Sequence, residues 1–127
     1  MKKRLLALAL LGAARTASAT DWELSARAEG VNVFIAADRI TRNGDYVEIW
    51  QKMVYAKPQR INNQRYDYTI DQITVYCNAA GYALRVHSAT YYTRSGESVA
   101  SISQAGTWDN VIPDSVAEDV VARACKQ

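Results

Sequence analysis

Residues 107–127 read TWDNVIPDSVAEDVVARACKQ, and the order of residue types there decides the architecture. Ser115 followed three residues later by Glu118 is a capping box, in which each side chain can accept a hydrogen bond from an otherwise unpaired backbone N–H. Pro113 just before it suits an extended entry. Ala117, Val121, Ala124 and Cys125 fall on one face at helical spacing, and Glu118, Asp119, Arg123 and Lys126 take the rest of the surface. Acids open this helix and bases close it, as the helix macrodipole favours. Valine is a mediocre helix former, so an element this short depends on packing against something larger.

The larger element lies upstream. Segments near Trp22 to Ala28, Val31 to Ala36, Tyr46 to Ala56, Thr69 to Cys77, Tyr82 to Tyr92 and Ser98 to Ser103 are rich in Val, Ile, Thr, Tyr and Trp. Turn chemistry separates them: Asn43-Gly44 is the clearest hairpin signal, with "NAAG" ending at Gly81 and "RSGE" around Gly96 as two more. A period-two reading puts Val47, Ile49 and Met53 on one face of the third segment and Ile73, Val75 and Cys77 on one face of the fourth. The fold expected is α+β, mainly β: an antiparallel sheet of about six strands with one C-terminal helix on it. One stretch interrupts the pattern. "AKPQRINNQRYD" holds a proline, two asparagines and three basic residues, and reads as a long exposed connection.

At the other end, Lys2, Lys3 and Arg4 precede "LLALALLG" and then "AARTASAT". A positive, then an apolar, then a small-residue segment is the order of a secretory signal peptide. Residues 1–19 are therefore expected to be a signal peptide cleaved after Ala19. Residues 20–127 are expected to form a single domain in the periplasm or medium, with Thr20, not an acylated cysteine, leading the mature chain. The whole sequence has 15 basic and 13 acidic residues. Without Lys2, Lys3, Arg4 and Arg15 the remainder is net −2, and nothing global points to nucleic acid. The charge is uneven: Arg39, Arg42, Lys52, Lys57, Arg60 and Arg65 face only Asp45 and Glu48 in that stretch, whereas acids dominate from Glu97 onward.

Cys77 and Cys125 are the chain's two cysteines. In an oxidising compartment they pair most simply with each other, fastening the terminal helix across an inward sheet face. An intermolecular disulfide or a reactive thiol is the alternative. The single histidine, His87, and the lack of C-x-x-C or H-x-x-x-H spacing argue against a dedicated zinc site. No cofactor is expected. Trp22, Trp50 and Trp108 read as packing at the core or its edge. Tyr91 and Tyr92 must face opposite sides of their strand. His87 shares an alternation face with Arg85 and Tyr91. Asp67 and Asp71 share a face near a strand start, where they read as solvated carboxylates.

The order "VEIWQK", a tyrosine-bearing strand ending in Cys77, "YY" before a glycine turn at Gly96, then Trp108, Ile112-Pro113, Ser115 and Cys125, resembles the surface-adhesin protein E family of Proteobacteria. The resemblance runs from about Tyr46 to Cys125. It implies a sheet curled toward a flattened barrel, a helix packed on it, and a non-catalytic extracytoplasmic binding module. Adhesin members bind host matrix proteins through a basic segment just before the cysteine-bearing strand. That segment corresponds here to "KPQRINNQR", with Lys57, Arg60 and Arg65 as ligand-binding charges. Partners so implied are a protein or an acidic polysaccharide, and the chain is expected to be a monomer or weak dimer without a transmembrane segment. The other readings are a structural periplasmic protein and a small hydrolase-type enzyme using His87 with Asp67 or Asp71.

Overall fold

The computed structural model describes residues 19–78 and 81–126. The expected signal peptide lies outside the described residues except for Ala19, as do the two central residues of the "NAAG" turn.

Among the described residues eight strands run in chain order: β1 (Trp22–Ala28), β2 (Val31–Ala36), β3 (Thr41–Asn43), β4 (Tyr46–Ile61), β5 (Gln64–Asn78), β6 (Gly81–Tyr92), β7 (Ser98–Ile102) and β8 (Asp109–Asn110). The helix α1 spans Val116–Cys125. The main path is six strands, β1-β2-β4-β5-β6-β7, with β3 added against β4 and β8 against β6. All pairings are antiparallel. The path is open: the sheet does not close on itself, and β1 and β7 remain its edges.

Alternation sorts the two faces. Val33, Ile35, Val47, Ile49, Ile73 and Val75 point to one side and are at most 2% exposed. On that side α1 packs across β1, β2, β4 and β5, burying Val120, Val121 and Ala124. At roughly 1.5–3 kcal/mol for each fully buried aliphatic side chain, this layer supplies most of what holds α1 down. Val120, one position off the helical face read from sequence, joins Val121 in the core.

Ser115 caps the helix, its Oγ accepting from the Glu118 N–H at 3.3 Å. The reciprocal arm differs from the expected box: the Glu118 carboxylate accepts from the Asp114 N–H at 3.1 Å, one residue before the cap. At the other end Arg42 donates to the Cys125 carbonyl at 3.3 Å, and Arg123 pairs with Glu23 of β1 at 2.6 Å. The Cys77–Cys125 disulfide forms within the chain, with Cα atoms 5.6 Å apart, and closes over 48 residues of sequence. It joins the end of α1 to the end of β5 beside the core.

The basic stretch is a folded hairpin, not a loose connection. β4 and β5 continue through it, pairing Gln59 with Tyr66, Arg60 with Arg65 and Ile61 with Gln64. Asn62 and Asn63 form its two-residue tip, with φ of 49° and 63°. Two positive φ values in succession are the signature of the hairpin turn that matches strand twist, and asparagine tolerates them. Pro58 does not break β4, because the register slips there. Val54 pairs with Tyr68 and Gln59 with Tyr66, so residues 55–58 bulge opposite Asp67 alone. A bulge is where a strand can hold a residue without an N–H. The Ala56 N–H instead donates to the Gly30 carbonyl at 2.9 Å, tying the bulge to the β1–β2 turn.

Candidate functional site

The charges picked out by sequence sit on this arm. Lys57 lies exposed in the bulge, and Arg60 and Arg65 are exposed directly opposite each other near the tip. Arg65 pairs with Asp67 at 3.3 Å; its own side chain is 58% exposed and that of Asp67 is 10% exposed. Asp67 also accepts from the Arg94 backbone N–H at 2.8 Å, so the arm's base is tied to the β6–β7 link. Arg60 reaches the Asn63 carbonyl across the turn at 3.5 Å. These contacts leave an exposed cationic surface held on a paired backbone.

Beneath the arm, beyond the reach of α1, the core-side face turns polar and aromatic. Gln51 donates to the Asp71 carboxylate at 3.1 Å and Thr69 does so at 3.4 Å. Tyr66 packs edge-on against both Tyr55 and Tyr91, with ring centroids 5.8 and 4.9 Å away. Burial pushes the Asp71 carboxyl above its ordinary value, against the opposing hydrogen bonds from Gln51 and Thr69. Burial likewise raises the Tyr55 and Tyr91 hydroxyls, with Tyr66 and Asp71 adding to it. Asp67 and Asp71 are both buried, contrary to their reading as solvated groups: Asp67 is held by Arg65 and the Arg94 N–H, and Asp71 lies near Tyr55 and Tyr91.

The structure does not bring His87 to these acids. Gln72 pairs with Ser88 and Ile73 with Val86, which leaves His87 as an extra residue in β6. The bulge reverses parity along the strand. His87 hydrogen-bonds Thr74 on the face away from the helix, while Tyr91, paired with Thr69, lies on the opposite face. The sheet therefore separates His87 from Asp71, and the pairing a hydrolase would need is not formed. Among the described residues no group of three or more His, Cys, Asp or Glu side chains is placed to hold a metal ion.

The outer sheet face was the least legible in the sequence. None of the three tryptophans joins the core. Trp22 and Trp50 are half-buried on the outer side, where Lys52 lies 5.8 Å from the Trp22 ring and 4.8 Å from that of Tyr68. Tyr68 and Tyr92 stack at 5.0 Å, so Tyr91 and Tyr92 do take opposite faces. At the far end Tyr46, Tyr76 and Trp108 form a corner, with Tyr46 48% and Trp108 43% exposed. A separate groove of about 610 Å³ runs between α1 and the start of β6, lined by Tyr82, Val111, Pro113 and Val121.

No helix among the described residues is long and apolar enough to cross a membrane. The family model described as Surface-adhesin protein E matches residues 22–126, a longer span than the one from Tyr46 to Cys125 on which the sequence resemblance rests. No curated protein and no solved structure matches the chain.

Proposed function

The chain belongs to the surface-adhesin protein E family over residues 22–126, and from that premise we propose that it is an exported, non-catalytic binding module whose arm captures an acidic partner. The observation that carries this reading is the arm itself. Arg60 and Arg65 are exposed opposite each other on strands paired up to a two-residue tip, and Lys57 is exposed in the bulge at the base of the same hairpin. Like charges held in register project a focused positive field, which speeds encounter with an acidic surface. A paired backbone has less freedom to lose on binding than a loose loop.

Export is supported by the sequence of residues 1–19 and by the Cys77–Cys125 disulfide, a bond that persists in oxidising compartments. The partner class favoured is a host matrix protein with an acidic patch, or an acidic polysaccharide. Residues 20–127 act in this reading as one domain.

Retention on immobilised laminin, vitronectin and heparin tests it. The oxidised domain is expected to bind at least one, and salt is expected to weaken binding because exposed charges are screened within about 10 Å at 0.1 M. Replacing Arg60 and Arg65 together by alanine should abolish retention and leave the fold intact. Equal retention of parent and double variant removes the arm from the mechanism.

A further inference from the structure

The corner at the far end of the outer face lies away from the arm and does not depend on the reading just given. Three strands build it. Tyr46 of β4 pairs with Tyr76 of β5, and Tyr76 with Ala83 of β6, so all three share one rung of the outer face. Trp108, just before β8, completes it. The Tyr46 ring lies 5.2 Å from Tyr76 at 44° and 6.0 Å from Trp108 at 52°. The segment carrying Trp108 is pinned: the Gly106 N–H donates to the Val86 carbonyl at 2.8 Å, and Arg85 Nε donates to the Gly106 carbonyl at 2.8 Å. The Arg85 guanidinium then lies 6.0 Å from the Trp108 ring.

Tilted rings around a cleft of about 200 Å³ make a shallow aromatic trough. A second groove of about 370 Å³, which shares Tyr46, continues past Glu48 and Thr74. Each ring carries a hydrogen-bond donor. Tyr76 Oη accepts from Asn78 at 2.8 Å, which leaves its own proton to give, and an indole N–H can only donate. The next rung pairs Glu48 with Thr74 and Thr74 with Arg85. Glu48 is exposed, and no described cation lies within ion-pair distance of it.

We propose that the trough formed by Tyr46, Tyr76 and Trp108 binds a proline-rich segment in the polyproline II conformation, with a basic residue of that segment placed on Glu48. Such a segment has no internal hydrogen bonds, so its carbonyls are free acceptors, and its prolines bring no donor to compete with the ring hydroxyls and indole. Its rings fit aromatic-lined grooves, and because it is extended before binding it has little conformational freedom to lose. The charges orient it: a ligand cation is drawn toward Glu48 and kept from the Arg85 side.

Fluorescence polarisation of labelled decaproline carrying one terminal arginine, titrated with the full chain, tests the proposal. Saturable binding is expected. Trp108→Ala should weaken it tenfold or more, and Tyr46→Phe, which keeps the ring and removes one donor, a few-fold at an unchanged melting temperature. Glu48→Gln should weaken the arginine-bearing probe and leave plain decaproline unaffected. Arg60→Ala with Arg65→Ala should leave the affinity for the decaproline probe unaltered, which separates this site from the arm. No binding by the parent, or affinity unaltered in both Trp108→Ala and Tyr46→Phe, overturns the proposal. So does binding of cello-oligosaccharides at the same corner in place of the peptide.

Discussion

Arg60 and Arg65 stand directly opposite each other across the arm, and among the described residues only Arg65 of the two has a carboxylate partner, Asp67. Like charges at directly paired positions destabilise a hairpin by a few tenths of a kcal/mol, so the arm keeps an arrangement that stability alone disfavours. The two single alanine variants should therefore differ in sign. Arg60→Ala is expected to leave stability unchanged or raise it by up to about 0.5 kcal/mol. Arg65→Ala should lower it by about 1 kcal/mol, a modest figure because that guanidinium is largely exposed and Asp67 keeps the Arg94 N–H. Urea denaturation of both variants checks the pair. Equal losses would contradict the cross-strand repulsion.

The tip should tolerate glycine and reject valine. Asn62 and Asn63 both adopt positive φ, a region that costs a β-branched residue about 1–3 kcal/mol. Asn63→Val is expected to open the arm locally, exposing the amides of Gln64 and Tyr66 to hydrogen exchange, with the global melting temperature unchanged. Asn63→Gly should preserve their protection. Protection in Asn63→Val equal to that of the parent would show that the turn does not hold the arm.

How far the fold was legible depends on how local its signals are. The Ser115 cap of α1 is a local signal, and so is the alternation of Val47 with Ile49 and of Ile73 with Val75; these appear in the structure as read, whereas Glu118 bonds the Asp114 N–H and Val120 joins the buried helix face. The two cysteines left one simple pairing. What failed was parity over distance. Pro58 reads as a breaker, yet a bulge absorbs it, and two asparagines that read as loop make a tight turn. The extra residue at His87 reverses the face of everything after it, and nothing in "RVHSATYY" marks the slip. Trp108 lies just before β8, whose two residues are too few for an alternation to show which face the indole takes.

The disulfide should be worth more than any single packing contact. It closes a loop spanning 48 residues, for which the chain-entropy relation gives about 4 kcal/mol. Cys77→Ser and Cys125→Ser open the same loop, so both should lose similar stability, and reduction of the parent should match them. Denaturation midpoints with and without reductant, alongside mass analysis showing the loss of two hydrogens in the oxidised chain, measure this. A disulfide-linked dimer on a non-reducing gel would contradict the intramolecular bond.

Asp71 should make the domain tolerant of mild acid. Its folded pKa is raised by burial, so the folded state binds a proton more readily than the unfolded chain does. By linkage, stability then rises as pH falls toward the ordinary carboxylate range, and the benefit is lost as pH climbs through the raised value. Asp71→Asn keeps a group of the same shape beside Gln51 and Thr69 without the charge. The variant is expected to be more stable than the parent at neutral pH and to lose that advantage steadily as pH drops, because the parent's carboxyl becomes neutral too. Thermal unfolding of both proteins between neutral pH and pH about 4 reads the difference. A gap that widens on acidification would mean that the hydrogen bonds from Gln51 and Thr69 to the carboxylate outweigh its burial.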